Sequence, residues 1–564
     1  MTVISRRAAL RSAGTAAILI AARQRLFALP ASPAPVGQAA GAEPVATTRY
    51  GQISGRLEDQ INVFLGVPYG GDTAPVRFQP PLPPSPWTGV KVCDRFTTRA
   101  PQLTMLRMPQ GINSAPSLGS AGMTPPGARP RVAPEAGVES EDCLHLNVFT
   151  PGLRDRRKRP VLVYFHGGAY NNGSVNSPLY DGKRLCKRGD VVVVTVNHRL
   201  NAFGFLYLGA IAPKEYAASG NVGMLDLVLA LNWVRENIEE FGGDPSRVLI
   251  FGQSGGGAKC ATLMAMPAGH GLFHRVMSMS GQQIKGASIE IASNRTEVML
   301  AKLGITPANL ADLRTLPWET IRSAASATSS DWLPVVDRVV LPRDPFTPDA
   351  PPLSENVPMV LGNTHDETQV PWHGTLTWDE APAALKNAVA IYLGPYTPEQ
   401  VIAAYRAIYP AMSPIDVVTA AATALRAWPG QVLEAERRAS NPRSQPHTWV
   451  YQMNWHRQAP GARAVHTIDI PFMFDNLDAA PGQIGTTPEE LAAAQPLADT
   501  MSGMLVHYAA TGNPNHPGLP AWPAYDLKTR NTMIWDRAPH IESDPRGAER
   551  RFAAGSPYRQ PGTY

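Results

Sequence analysis

Ser254 stands in the stretch "VLIFGQSGGGAK", Val248 to Lys259, where an apolar run ends in glycines around a single hydroxyl. The pentad Gly252-Gln253-Ser254-Gly255-Gly256 has the form G-x-S-x-G. A strand precedes it and a helix former follows, the setting in which a sharp turn lifts a serine above a sheet as a nucleophile. Small flanking residues are required because neighbouring backbones crowd such a turn, and glycine meets that demand at least cost. The Gly255 amide opens the following helix, so it points a donor and a partial positive charge at any anion formed beside Ser254.

A serine hydroxyl is a weak nucleophile at neutral pH. It needs a base, a carboxylate to orient that base, and donors for the oxyanion. A second strand, "VLVYF", runs into His166-Gly167-Gly168-Ala169, an H-G-G-type loop whose amides are free of obstructing side chains. For the acid, "VPMVLGNTHDET" places Asp366 and Glu367 side by side in a loop after a strand, and spacing does not choose between them. Chain order Ser, acid, His leaves His373, His447, His456, His466, His507, His516 and His540 for the base. "HTWVYQMNW" reads as a late strand, and the loop after it offers His456 and His466, between which the residues alone do not decide.

These groups need a rigid platform. The runs "VLVYF" (161–165), "VVVVTV" (191–196), "VLIF" (248–251) and "VPMVL" (357–361) are continuously apolar, as parallel strands covered on both faces must be. Between the second and third, Leu227, Leu231, Val234, Ile238 and Phe241 recur at helical spacing and predict one buried helix face. Gly242 and Gly243 are placed to end that helix, and Asp244-Pro245 to turn the chain. Alternating strands and helices predict an α/β fold with a large, mainly parallel central sheet flanked by helices, with the ligand site beyond the carboxyl ends of the strands.

Composition is that of an ordinary globular protein. The chain has 564 residues, 44% hydrophobic and 17% charged, so wholesale disorder is excluded. Residues 1–40 carry Arg6, Arg7, Arg11, Arg23 and Arg25 and no other charge, which accounts for the whole formal charge of +5. The remainder has no net charge, so basicity supplies no argument for a nucleic-acid partner. Arg6-Arg7, with Ser5 before and Leu10 after, resembles a bacterial twin-arginine (Tat) export signal. The apolar run Ser12–Ala22 is too short to span a bilayer, and no later stretch reads as a membrane span. The expectation is a leader over 1–40, one catalytic domain over 41–564, and export to the periplasm or beyond. Four cysteines, Cys93, Cys143, Cys186 and Cys260, show no metal-ligand spacing, and neither a metal nor an organic cofactor is expected. The stretch from Pro101 to Glu139, rich in Pro, Gly, Ser and Ala, reads as a long surface loop.

Together the segments resemble the type-B carboxylesterase and lipase family, which includes the cholinesterases and neuroligins and has the α/β-hydrolase fold. The resemblance runs over nearly the whole chain after the leader. It is carried by "SEDCLHLNVFTP", "HGGAYNNGS", "VNHRLNAFGFL", "GNVGMLDLVLALNWVRENIEEFGGDPSRV", "FGQSGGG", "GNTHDE", "GARAVHTIDIPFMF" and "ATGNPN", in the family's order. The resemblance implies Glu367 as the acid, His466 as the base, and the amides of Gly167, Gly168 and Gly255 as oxyanion donors. It implies a small-molecule ester substrate hydrolysed through an acyl-enzyme.

Three departures bear on substrate and bonding. Gln253 stands where the family usually has glutamate. The Pro101–Glu139 loop has no tryptophan, so the cation platform of cholinesterases is not evident there. Both argue against a choline ester. The cysteine that pairs with Cys143 in the family is replaced by Ala100, so a free Cys143 or a re-registered bridge to Cys93 is expected. Two other readings share these residues: a neuroligin-like binding protein without chemistry, and an amidase, thioesterase or acyltransferase with the same triad. Oligomeric state is not legible.

Overall fold

The structure, a computed structural model, describes residues 43–103, 137–372 and 374–563. The leader, most of the Pro101–Glu139 loop and His373 lie outside the described residues. The first strands in chain order are β1 (Val45–Thr48), β2 (Gly51–Ser54), β3 (Arg56–Glu58), β4 (Ile61–Pro68), β5 (Val90–Val92), β6 (His145–Thr150) and β7 (Arg159–Phe165). They are followed by β8 (Val192–Val196), β9 (Gly243–Gln253), β10 (Arg275–Met279), β11 (Met359–Thr364), β12 (Thr448–Met453), β13 (Asn531–Trp535) and β14 (His540–Ser543). β1, β2 and β5 form a small sheet of their own.

The other eleven strands form one sheet in the order β14-β13-β12-β11-β10-β9-β7-β8-β6-β4-β3. From β8 through β13 neighbouring strands are parallel, and the antiparallel pairings are confined to the two flanks. The expected central strands are thus present as β7, β8, β9 and β11, and "HTWVYQMNW" supplies β12. The continuous apolar runs have their physical cause in the two faces. Val161, Val163 and Phe165 of β7 enter one core, while Leu162 and Tyr164 enter the other. Val248 and Ile250 of β9 divide from Leu249 and Phe251 in the same way. The central positions of such a strand lose apolar surface to a helix layer on either face, so they are apolar on both.

The helix between β8 and β9 covers Val222–Asn237, then tightens into a 3₁₀ turn over Ile238–Phe241. Gly242 ends it with φ 71° in the left-handed region, its amide returning to the Glu239 and Ile238 carbonyls. The single buried face expected is too narrow a description, because Met224, Val228, Ala230 and Trp233 are buried as well. Asp226, also buried, pairs its carboxylate with Arg199 at 2.6–3.2 Å and accepts the Arg199 amide at 3.0 Å. Removing one partner of such a pair costs about 3–5 kcal/mol, because the other charge is left unpaired. Among the described residues, Pro213–Phe241 is the one helical run apolar and long enough to cross a membrane by composition, and its 72% burial marks it as a core helix.

A third apolar cluster is built by helices Ala381–Val389, Pro398–Ile408 and Pro414–Arg426, inserted between β11 and β12. The insertion separates Glu367 from His466 in the chain. It also supports both loops: Thr423 Oγ1 accepts the Thr368 amide at 3.0 Å, and Asp416 pairs with Arg463 at 2.5 Å.

Candidate active site

The end of β9, the turn and the following helix Gly255–Leu263 are buried from Val248 to Met266 with one exception, Ser254. Its backbone sits at φ 58°, ψ −126°, a strained region for a residue with a side chain. The turn is held by the Ser254 amide on the Met279 carbonyl at 2.7 Å and by the Ala258 amide on the Ser254 carbonyl at 3.1 Å. The glycines are sterically obligatory. A Cβ on Gly252 would lie 2.5 Å from the Gly256 carbonyl carbon, and one on Gly255 would meet the Ala169 backbone.

That last contact brings the second motif to the site. β7 ends at Phe165, beside Gly252 of β9, and the His166–Ala169 loop passes over the serine. A Cβ built on Gly167 would be 3.4 Å from Ser254 Cβ. Gly168 turns the loop at φ 85°, where an added side chain would also strike the Asn172 backbone. Among the described residues, the amides of Gly167, Gly168 and Ala169 donate to no acceptor of the chain, and the Gly255 amide, first in its helix, has no intrahelical one. The Ala169 amide, in the same glycine turn, was not among the expected donors and likewise has no acceptor among the described residues.

Of the two adjacent carboxylates, Glu367 is the one that reaches His466, while Asp366 Oδ1 lies 3.0 Å from Nδ1 of its neighbour His365. Glu367 Oε2 is in short hydrogen-bond contact with His466 Nδ1. Its Oε1 accepts Asn363 Nδ2 at 3.0 Å and the Thr364 amide at 2.8 Å. Asp366 serves the loop instead: its Oδ2 accepts the Ala464 amide at 3.0 Å, and its own amide donates to the Ala464 carbonyl at 3.0 Å. This two-way clamp sets His466 two residues further on. His456 makes its ring contact with the Arg457 carbonyl at 3.0 Å, within its own loop. His540 lies on edge strand β14 against Glu542, and His507 and His516 face each other at 5.8 Å.

The Glu367 side chain is 2% exposed and that of His466 27%. Burial alone would pull the imidazolium's pKa down, but the Glu367 carboxylate outweighs it and leaves His466 above its ordinary value. Burial pushes the Glu367 carboxyl up, and the His466 charge and hydrogen bond reverse that and hold it below the usual range. Gln253 contacts the same ring, its Nε2 3.3 Å from Nε2 and 3.4 Å from Nδ1 of His466. Near-equal distances to both nitrogens put the amide across the ring rather than along either lone pair. Ser254 Oγ makes no hydrogen bond to His466 among the described residues; serine and ring are joined through Gln253, adjacent in the chain to one and in contact with the other.

Beneath the pair, Asp469 is fully buried and accepts the Tyr451 hydroxyl at 2.8 Å. Burial first, then the Glu367 charge, push its carboxyl up to about 6 against the Tyr451 hydrogen bond. Asp469 and Asn363 escaped sequence reasoning, though both sit within four residues of residues it had singled out. Among the described residues no group of three or more His, Cys, Asp or Glu side chains is placed to hold a metal ion. All four cysteines are buried free thiols, so Cys143 is not bridged to Cys93.

A parallel sheet with antiparallel flanks, a strained serine at a strand end and a carboxylate–histidine pair on the next loops define an α/β-hydrolase fold. Comparison with known proteins narrows this. The carboxylesterase family profile matches residues 42–553. Para-nitrobenzyl esterase of Bacillus subtilis (strain 168) is 33% identical over 533 residues, covering 90% of this chain and 98% of that protein. The crystal structure of the Geobacillus stearothermophilus carboxylesterase EST55 at pH 6.2 superposes with a TM-score of 0.72 at 34% identity, over 90% of this chain and 99% of that one. An esterase from anaerobic Clostridium hathewayi, described as able to hydrolyse aliphatic aromatic polyesters, gives a TM-score of 0.70 at 29% identity over 91% and 98%. The chain belongs to the carboxylesterase family, and its activity class is carboxylic-ester hydrolysis.

Proposed function

We propose that this carboxylesterase works through Ser254, His466 and Glu367 by way of an acyl-enzyme. The observation that carries the reading is the Glu367–His466 pairing, which occupies Nδ1 and leaves Nε2 as the ring's other nitrogen. The Ser254 hydroxyl turns onto Nε2, gives up its proton there, and its oxygen forms a bond to the ester carbonyl carbon. The carbonyl oxygen takes the negative charge among the amides of Gly167, Gly168 and Gly255, with Ala169 adjacent. Collapse breaks the bond to the alcohol, which leaves with the proton from Nε2. Water then repeats the sequence on the acyl-enzyme and releases the acid. Glu367 holds the proton on Nδ1 and stabilises the imidazolium throughout.

The test is Ser254→Ala assayed on a p-nitrophenyl ester: a folded variant without turnover supports the assignment, and near-normal turnover refutes it. We further propose export through the twin-arginine leader, supported by Arg6-Arg7 and the short apolar run behind them. Arg6→Lys with Arg7→Lys, followed by cell fractionation, tests it; unchanged extracytoplasmic activity contradicts it.

A further inference from the structure

The helix behind Ser254 buries a lysine that the proposed triad leaves unused. Lys259 has no exposed surface, a position lysine rarely takes without a counter-charge. Among the described residues it has no carboxylate partner. Its Nζ donates instead to two backbone carbonyls, His166 at 2.9 Å and Ala169 at 3.0 Å, and lies 5.6 Å from the Tyr170 ring centre. Those carbonyls are the two ends of the glycine loop. The lysine therefore ties both ends of one motif to the helix of the other.

The choice of carbonyls has an electronic consequence. The His166 carbonyl and the Gly167 N–H belong to the same peptide unit. A hydrogen bond accepted at the oxygen polarises the unit and makes its N–H a stronger donor. Lys259 thus acts from behind on an amide aimed at the reaction centre, in a buried setting where such polarisation is little screened. We propose that Lys259 is a positioning residue for ester hydrolysis, strapping the His166–Ala169 loop to the Ser254 helix and, in its charged form, strengthening the Gly167 amide toward the oxyanion. The proposal rests on the triad reading above.

The groups facing Lys259 support it. His166 and His198 stack with ring centres 4.9 Å apart, and burial first, then the Lys259 charge, hold both well below the ordinary imidazole range. Their Nδ1 atoms already bond to the Gly167 and Arg199 carbonyls, at 2.8 and 2.7 Å, so neither ring is a counter-ion. The remaining titratable neighbours are Cys260, whose thiol burial pushes up, and Tyr170, whose phenol burial also pushes up. Burial brings Lys259 itself down to about 7. A neutral amine keeps two N–H bonds, enough for both carbonyls, so the strap survives deprotonation while the charge does not.

The test compares Lys259→Met and Lys259→Gln with the parent and with Ser254→Ala on p-nitrophenyl butyrate, using the full chain. One whole oxyanion donor is worth about 10²–10³ in kcat, so K259M, which weakens donors without deleting one, is expected to lose about 10- to 100-fold in kcat with KM nearly unchanged. K259Q, able to reach one carbonyl, recovers part of the loss. Affinity for a trifluoromethyl ketone, which forms an oxyanion on serine, falls in step with kcat/KM. Wild-type kcat declines on the alkaline side as Lys259 discharges, and both variants lack that decline. Wild-type kcat in folded K259M, or unchanged trifluoromethyl ketone affinity, overturns the proposal. Should neither variant fold, the wild-type profile tests the charge: an alkaline fall in kcat supports its part in the proposal and a flat limb overturns that part. An active Ser254→Ala would instead sink the triad reading itself.

Discussion

Glu367→Gln alters one atom in a side chain that is 2% exposed. Two donors hold Oε1, Asn363 Nδ2 at 3.0 Å and the Thr364 amide at 2.8 Å, and both keep their grip on the amide oxygen of glutamine. The new NH₂ group is thereby directed at His466 Nδ1. The ring must accept there and carry its proton on Nε2, the atom that has to receive the serine proton. The same acid-to-amide change in the serine-protease triad leaves geometry intact and lowers kcat by about 10⁴ through the wrong tautomer. We expect a loss of about 10³–10⁴ here, roughly 4–5.5 kcal/mol of barrier, with KM little changed.

The variant also has a pH signature. With the carboxylate gone, burial dominates and the His466 pKa falls below its wild-type value, so the acid limb of residual kcat/KM moves to lower pH. His466, raised in the fold, contributes stability that is complete below its unfolded value of 6.5 and lost as pH rises through the folded pKa. Glu367, lowered in the fold, contributes stability that is complete above its unfolded value of 4.5 and lost as pH falls through the folded pKa. Both contributions coexist between 4.5 and 6.5, where E367Q should lose most, about 1.5–3 kcal/mol for a hydrogen bond between charged groups. Initial rates across pH and thermal unfolding across the same range measure both effects. Near-wild-type kcat with an unmoved acid limb would falsify the reasoning.

Gln253→Glu places a carboxylate where an amide nitrogen now lies 3.3–3.4 Å from both ring nitrogens of His466. A second opposite charge at that range should raise the acid limb of kcat/KM by about one to three pH units, and an unshifted limb contradicts the placement of Gln253. The four thiols should react slowly with Ellman's reagent in the native chain, because all are buried and burial pushes Cys93 up to about 12 and the others up as well. Unfolded chain should titrate four thiols with or without reductant, and two missing without it would reveal a bridge.

Much of this was legible in the sequence for local reasons. A strand buried on both faces carries a continuous apolar run at its centre, so β7, β8 and β9 announce themselves. Gly242 marks a helix end because a left-handed residue is needed there. The glycines around Ser254 reflect backbone crowding, which acts over a few residues. The choice between Asp366 and Glu367 was not local: adjacent carboxylates are separated only by the direction in which each side chain leaves the loop, and that direction is set by Ala464, far along the chain. His456 and His466 share a loop and differ in what faces them, which resemblance could supply and spacing could not. The antiparallel flanks of the sheet and the three-helix insertion have no periodicity that distinguishes them from other amphipathic segments. Lys259 stands as a lone charge in an apolar helix, and its partners are carbonyls, which every residue has and no sequence pattern marks.

The most direct test of the proposed chemistry is covalent labelling. Diethyl p-nitrophenyl phosphate should transfer one phosphoryl group per chain as activity disappears, and peptide mass spectrometry should find that group on the Ser254 oxygen. Complete inactivation with the label on another residue, or full activity retained beside a phosphorylated Ser254, would contradict the account.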